Sequence, residues 1–381
     1  MIENKERFDD FTELTQEKIQ SALNEAIDRV KKHMHEFKDG FPPPASVNNV
    51  YPCTENRDWT EGFYTGILWL CYEATGDNSF RELAEHQLES FKNRIENKIN
   101  TDHHDMGFLY SLSCVAAYKL TGNESARHSA LLAADNLLSR FHEKGQFLQA
   151  WGAMGAESNY RLIIDCLLNL PLLYWATETT GDGKYADIAR RHLETTMKVI
   201  VRDDDSTHHT YYFNKETGEP LYGKTAQGYS DDSAWARGQS WGVYGLMLNY
   251  IYTKKEDIPL LWYRVTDYYL NNIPKDKVAY WDLIFKDGDQ PRDSSSSVIT
   301  VCGILEAYKQ GVCDESYVKA AKSILNAVID MCSTKDTPES NGLLLHSTYA
   351  ITNGADECNI WGDYFYMEAL TRLTKDWKLY W

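Results

Sequence analysis

The 381-residue chain has no uninterrupted apolar run near the roughly 20 residues that a membrane helix needs. Its best candidate, residues 162–175, is broken by Asp165, Asn169 and Pro171. A mean hydropathy of −0.51 points the same way. The first ten residues are charged and polar, so no secretory leader and a cytoplasmic location are expected. The eight cysteines form no Cys-x-x-Cys pair and show no ligand-like spacing. Several lie in apolar runs, which reads as buried, reduced thiols. Positive charge is scarce: 39 Lys and Arg stand against 56 Asp and Glu, a net charge of −17, which speaks against nucleic acid. An anionic ligand must then be held by local cations and dipoles, not by the overall field. No His or Glu stands at His-Glu-x-x-His spacing, so His208 and His209 read as neutral hydrogen-bonding side chains, not as metal ligands.

What is abundant is aromatic. There are 11 Trp and 25 Tyr, most of them needed for packing, with some placed where they suit stacking on sugar rings. An aromatic or acidic residue, or Met, followed by Gly opens several apolar runs: Glu61-Gly62, Met106-Gly107, Trp241-Gly242 and Trp361-Gly362. Each is followed by a helix-like stretch, a turn and a second amphipathic stretch. This is an internal repeat of helical hairpins. The turns include Thr75-Gly76-Asp77, Thr121-Gly122-Asn123 and Thr180-Gly181-Asp182, where Gly closes one helix and Asp or Asn caps the next.

Apolar-all-round helices begin near Trp59, Asp105, Tyr160, Ser233, Ser296 and Glu357. Amphipathic helices cover 14–36, 78–97, 124–142, 183–200, 257–272 and 314–332. Six buried helices alternating with six surface helices predict an all-α fold, a closed (α/α)6 barrel in a single domain over 1–381. An open solenoid is the alternative, but its buried layer would not carry polar residues. Long connections at 37–58, 143–159, 201–232, 273–295 and 333–355 all precede the inner helices, so the site is expected on that face.

Arg161, Asp165 and Asn169 are spaced i, i+4, i+8 among apolar residues. On a helix they form one polar stripe, which must face something polar, here the barrel cavity. Desolvation there favours a protonated Asp165, suited to act as an acid, provided Arg161 is not its partner. Asp105 opens a helix, where the dipole and backbone N–H groups favour its ionised form. Contrasting environments of this kind separate an acid from a charge stabiliser. The plain alternatives are a helix cap for Asp105 and a buried ion pair for Asp165. Ser233, Arg237 and Trp241 share a helical face, where Arg237 could clamp a carboxylate beside stacking rings. Its plain alternative is a pair with Asp231 or Asp232.

Taken together, Trp59-Thr60-Glu61-Gly62-Phe63, His104-Asp105-Met106-Gly107-Phe108, Asn159-Tyr160-Arg161 through Asp165, His209 to Phe213, Thr225-Ala226-Gln227-Gly228, Trp235 to Gln239 and Asn359 to Tyr364 resemble the unsaturated glucuronyl hydrolases, glycoside hydrolase family 88. The resemblance runs over nearly the whole chain and implies an (α/α)6 barrel without metal or organic cofactor. The implied substrates are disaccharides or short oligosaccharides ending in a 4,5-unsaturated uronic acid. The implied chemistry is hydration of the C4=C5 vinyl ether, followed by ring opening. On this resemblance Asp165 is the acid/base and Asp105 the second essential carboxylate. His104, His209, Gln227 and Arg237 lie near the sugar, and Trp59, Trp151 and Trp241 form stacking walls.

One departure stands out. Family members that favour sulfated substrates carry a Ser-x-Ser-x-Lys stretch before the Trp-Gly-Asp segment. Here residues 349–355 read Tyr-Ala-Ile-Thr-Asn-Gly-Ala, with neither serine nor lysine. Three rival readings remain: an unsaturated rhamnogalacturonyl hydrolase, an α/α-barrel epimerase lacking its second catalytic His, and a non-catalytic helical-repeat binding module.

Overall fold

The computed structural model describes residues 1–381. Its helices are α1 (Gln16–His33), α2 (Glu61–Thr75), α3 (Asn78–Glu96), α4 (Met106–Tyr110), α5 (Ala116–Thr121), α6 (Glu124–Leu138), α7 (Pro171–Thr180), α8 (Lys184–Val199), α9 (Ala236–Thr253), α10 (Ile258–Asn272), α11 (Ser294–Lys309), α12 (Glu315–Cys332) and α13 (Ile360–Thr374). A π-helical turn, Ser111–Val115, joins α4 and α5 into one element. The inner ring runs α2, α4–α5, the 164–180 segment, α9, α11 and α13, and closes where α13 packs on α2. The outer ring is α1, α3, α6, α8, α10 and α12. The barrel read from the hairpin count is the one observed. No helix is long and apolar enough to cross a membrane.

The inner helices are buried nearly all round, as their composition requires; α9, α11 and α13 show long unbroken runs of buried residues. Outer helices bury one stripe, such as Ile19, Leu23, Ala26, Ile27 and Val30 in α1. The repeated glycines let the inner helices touch. A Cβ on Gly62 would stand 2.2 Å from the Phe108 carbonyl, and one on Gly107 2.4 Å from Asn169 Cα. Gly62 and Gly107 each face the next inner segment around the ring. Gly107→Ala is therefore expected to destabilise the fold by about 1–3 kcal/mol, the usual range for overpacking. It should also lower turnover, because Asn169 is tied to both aspartates. A variant with parental Tm and rate would sink this account of the repeat.

One inner element departs from the expected helix. Arg161–Ile163 is a strand, β3, followed by a 3-10 turn over Ile164–Leu168. Helix α7 starts only at Pro171, whose fixed φ suits the first helical position. Strand β3 pairs antiparallel with β4 (Thr210–Phe213), which pairs with β5 (Pro220–Lys224). Strand β4 falls where His209 to Phe213 reads as a short strand. A second hairpin joins β1 (Phe141–His142) to β2 (Phe147–Leu148). Arg161, Asp165 and Asn169 therefore do not share a helical face. The ladder to β4 satisfies the β3 backbone and overrides helical periodicity there.

Below the loop face the barrel is filled with rings. Trp381 lies parallel to Phe365 at 5.9 Å and edge-on to Phe108 and Tyr244. Its Nε1 donates to Glu368 at 3.0 Å. The buried Glu368 also pairs with Arg372 at 3.0 Å, and Arg372 reaches Glu306 at 2.7 Å.

Candidate active site

The 3-10 turn presents Asp165, and the start of α4 presents Asp105. His104 joins them: its Nε2 lies 3.4 Å from Asp105 Oδ1 and 3.3 Å from Asp165 Oδ1. Neither His104 ring nitrogen completes a hydrogen bond, these two approaches included. Burial holds this imidazole neutral, well below its usual range. Nε2 is then the nitrogen suited to carry the proton and share it between the carboxyls. Asn169 bridges the same two segments. Its Oδ1 accepts the Phe108 N–H at 2.9 Å, and its Nδ2 approaches Asp105 Oδ1 at 3.4 Å and the Asp165 carbonyl at 3.3 Å.

The environments differ from expectation at Asp105. It occupies the cap position of α4 but makes no capping hydrogen bond. Its side chain is 2% exposed, and burial raises its pKa in spite of the Asn169 amide. Desolvation outweighs the helix dipole, so the ionised form expected from a helix start is not favoured. Asp165 is the more open side chain, 17% exposed. Its pKa is raised well above the carboxylate range by burial and then by Asp105, with Arg237 and Arg161 opposing. Two desolvated carboxyls with oxygens within 4.8 Å of each other disfavour a double negative charge. Asp165 makes no ion pair with Arg161, whose charge only opposes the rise.

His103 supports the pair from behind. Its Nδ1 accepts the Asp105 N–H at 3.1 Å, and its Nε2 donates to the Asn100 carbonyl at 2.9 Å. Its ring stacks on Trp151 at 4.6 Å. Trp151 is 37% exposed and keeps an open face, as a stacking wall requires. Trp59 is 9% exposed, stacked on Trp361 at 5.1 Å, with Nε1 donating to Tyr349 OH. Trp241 does not fit the role of a wall. It is 1% exposed and packed on Phe108 and Phe365, so it belongs to the aromatic floor beneath the pair.

His209 accepts the Ala226 N–H at Nδ1, which leaves the proton on Nε2. Burial pushes its pKa down to about 3, so it is neutral, with its ring on Trp235. Gln227 donates to the Tyr349 carbonyl at 2.8 Å. Arg237 pairs with neither Asp231 nor Asp232. Its Nη1 donates to Asp293 at 2.7 Å and to the Thr348 carbonyl at 2.6 Å, and its Nη2 donates to the Tyr349 carbonyl at 2.7 Å. The guanidinium sits between the rings of Trp235 and Trp361. Three of its N–H groups are thus spent on the protein, and the residue is 1% exposed. An open fork for a ligand carboxylate is not what the fold provides.

Four residues central to this geometry carry no assigned role at the site in the sequence analysis. Tyr349 is the hub of Trp59, Gln227 and Arg237; its only signal was its place in the departing loop. His103 adjoins the quoted His104-Asp105 motif. Asp293 and Trp361 pair with or stack on Arg237 from distant segments, which sequence spacing cannot reveal.

The sequence pattern of Glycosyl Hydrolase Family 88 matches residues 26–378. The chain belongs to glycosyl hydrolase family 88. It is 48% identical to the unsaturated chondroitin disaccharide hydrolase of Streptococcus pneumoniae, over 100% of this chain and 98% of that protein. The crystal structure of unsaturated glucuronyl hydrolase from Streptococcus agalactiae superposes with a TM-score of 0.96 at 46% identity, covering 100% of this chain and 98% of that one. A mutant of that enzyme complexed with dGlcA-GalNAc6S superposes at 0.88 with 43% identity, over 100% of this chain and 97% of that one. This family 88 chain is thus a glycoside hydrolase, and the solenoid, epimerase and binding-module readings fall away.

Proposed function

We propose that the protein hydrolyses short oligosaccharides whose non-reducing end is a 4,5-unsaturated glucuronic acid, the products of polysaccharide lyases. The observation that carries this is the buried Asp105–Asp165 pair with His104 Nε2 within 3.4 Å of both carboxyls, set in a barrel of this family. Asp165, the more open carboxyl, delivers a proton to C4. Positive charge develops at C5 and the ring oxygen, and water adds at C5. The resulting hemiketal collapses, the ring opens and the remaining sugar leaves. Asp105 balances the developing charge and holds sugar hydroxyls. His104 keeps both carboxyls in register; the free Nε2–H of His209 and the amide of Gln227 bind sugar oxygens; Trp59 and Trp151 flank the ring. Arg237 contributes by holding Thr348 and Tyr349 and by its field on Asp165. The steps so written call on no metal or organic cofactor, and the unpaired cysteines support a cytoplasmic location.

Unsaturated chondroitin disaccharide is the substrate class most in keeping with the relatives' names. Within it, unsulfated forms are favoured, because residues 349–355 supply no serine or lysine. Two neutral donors, Thr352 and Asn353, replace charge-assisted bonds poorly. The test follows loss of the ultraviolet band of the conjugated uronate on matched disaccharides with and without sulfate on the galactosamine. Turnover with equal or better kcat/KM on the unsulfated form is expected. No turnover on any unsaturated glucuronyl disaccharide, with activity on pectin-derived unsaturated rhamnogalacturonyl fragments, would transfer the assignment to that group. A preference of about tenfold or more for the sulfated form, worth ~1.4 kcal/mol, would mean that a basic residue outside this loop has taken over.

A further inference from the structure

The fold leaves the substrate's negative charge without its expected partner, since Arg237 is committed to Asp293 and two carbonyls. A second guanidinium borders the acid pair. Arg161 stands at the start of β3, opposite Tyr212 on β4. Its backbone carbonyl accepts the Ala150 N–H, which places it beside the Trp151 wall. Strand β3 runs directly into the 3-10 turn that carries Asp165, and the Ile164 N–H at that junction donates to the His209 carbonyl.

The donors of Arg161 are largely unused. One Nη1 hydrogen goes to Tyr212 OH at 3.1 Å, and the guanidinium lies 5.5 Å from that ring. Nε is buried and has no acceptor. No carboxylate of the protein pairs with it. A buried N–H left unpaired costs free energy, and native proteins seldom tolerate one without a reason. Asp165 Oδ1 is likewise without a hydrogen-bond partner, on the more open carboxyl of the pair. The stacked Tyr212–Tyr222 pair at 5.2 Å stiffens the hairpin that holds Arg161.

We infer that Arg161, with its unpaired Nε–H and free Nη groups beside the Asp105–Asp165 pair, is the cation that binds the anionic oxygens of the substrate. This rests on the proposed reaction. The anion is the uronate carboxylate or a sulfate on the neighbouring sugar, both planar or triangular arrays of oxygens that a guanidinium fork can engage.

The test uses the full chain, parent and Arg161→Gln and Arg161→Lys variants, with three probes. These are the unsulfated unsaturated chondroitin disaccharide, its 6-sulfated form and the methyl ester of its uronate. Thermal unfolding confirms that each variant is folded. Parental turnover on the first probe tests the proposed reaction by itself. Arg161→Gln is expected to lower kcat/KM about tenfold or more, mainly through KM. An equal loss on the two free acids that vanishes with the ester identifies the carboxylate. A loss confined to the sulfated probe identifies the sulfate. Arg161→Lys should recover only part, as a point charge without the fork. One and the same ratio of variant to parent on all three probes, or a displaced pH profile with KM unchanged, would overturn the inference and leave Arg161 a field effect on Asp165.

Discussion

Asp165→Asn is expected to lower kcat/KM by about 10²–10⁴-fold, the contribution typical of a positioned acid–base group, and at the same time to raise Tm. The loss follows from the amide's inability to deliver a proton to C4. The gain follows from the site's own electrostatics. Asp165 is desolvated and stands against Asp105, so its charge is a strain on the folded state. An isosteric amide needs no ionisation and still fills the space. The sign follows from proton uptake. With the folded pKa raised above the ordinary value of 3.8, the folded state holds more protons than the unfolded state between those two values. Stability from this group is therefore full below about pH 3.8 and declines as pH rises through the folded value. The variant should show a flatter dependence of Tm on pH across that window. Asp105→Asn should also be inactive, and the double variant little worse than either, because the pair acts as a unit. Retention of more than about a tenth of parental activity would remove Asp165 from the acid role.

Arg237→Ala is expected to destabilise the protein by about 3–5 kcal/mol, the range for breaking a buried ion pair, and to abolish activity with it. Asp293 is fully buried, and apart from Arg237 its side chain is held by Ser295. Its pKa is already raised by burial with Arg237 opposing, so in the variant it takes up a proton instead of remaining charged. That response places the cost towards the lower end of the range. The Thr348 carbonyl also loses its donor, the Tyr349 carbonyl keeps only that of Gln227, and the Tyr349 side chain carries Trp59. Replacing both partners, as Arg237→Met with Asp293→Leu, should restore much of the stability but not the turnover, because paired removal leaves no buried charge. Chemical denaturation of the two variants separates these effects. If Arg237→Ala were as stable as the parent and altered only KM, the guanidinium would be a ligand clamp after all.

The helical hairpins were legible because their signals are local. Gly and Asx at the turns, uniform apolarity in the inner helices and one-sided apolarity in the outer ones are all properties of neighbouring residues. The misreading at 161–169 shows the limit. Arg161, Asp165 and Asn169 keep helical spacing, yet β3 exists because β4, some fifty residues later, supplies its ladder. Asp105 was read correctly as a helix start, but its ionisation was not, since that depends on how deeply the segments around it bury the carboxyl. Trp241 looked like a wall by analogy of position, and its burial under Phe108 and Phe365 was set by other helices.

By itself the sequence determined the helical repeat, the loop-rich face and the two carboxyls, because periodicity, turn chemistry and a quoted motif are read along the chain. Only the tertiary structure decided that His104 bridges the carboxyls, that Arg237 spends its donors on Asp293 and the Tyr349 loop, and that Arg161 keeps donors to spare. Those outcomes depend on distances of about 3 Å between segments far apart in the chain and on how much water each group loses. Hydrogen bonding and desolvation act through space, and no spacing along the sequence encodes them.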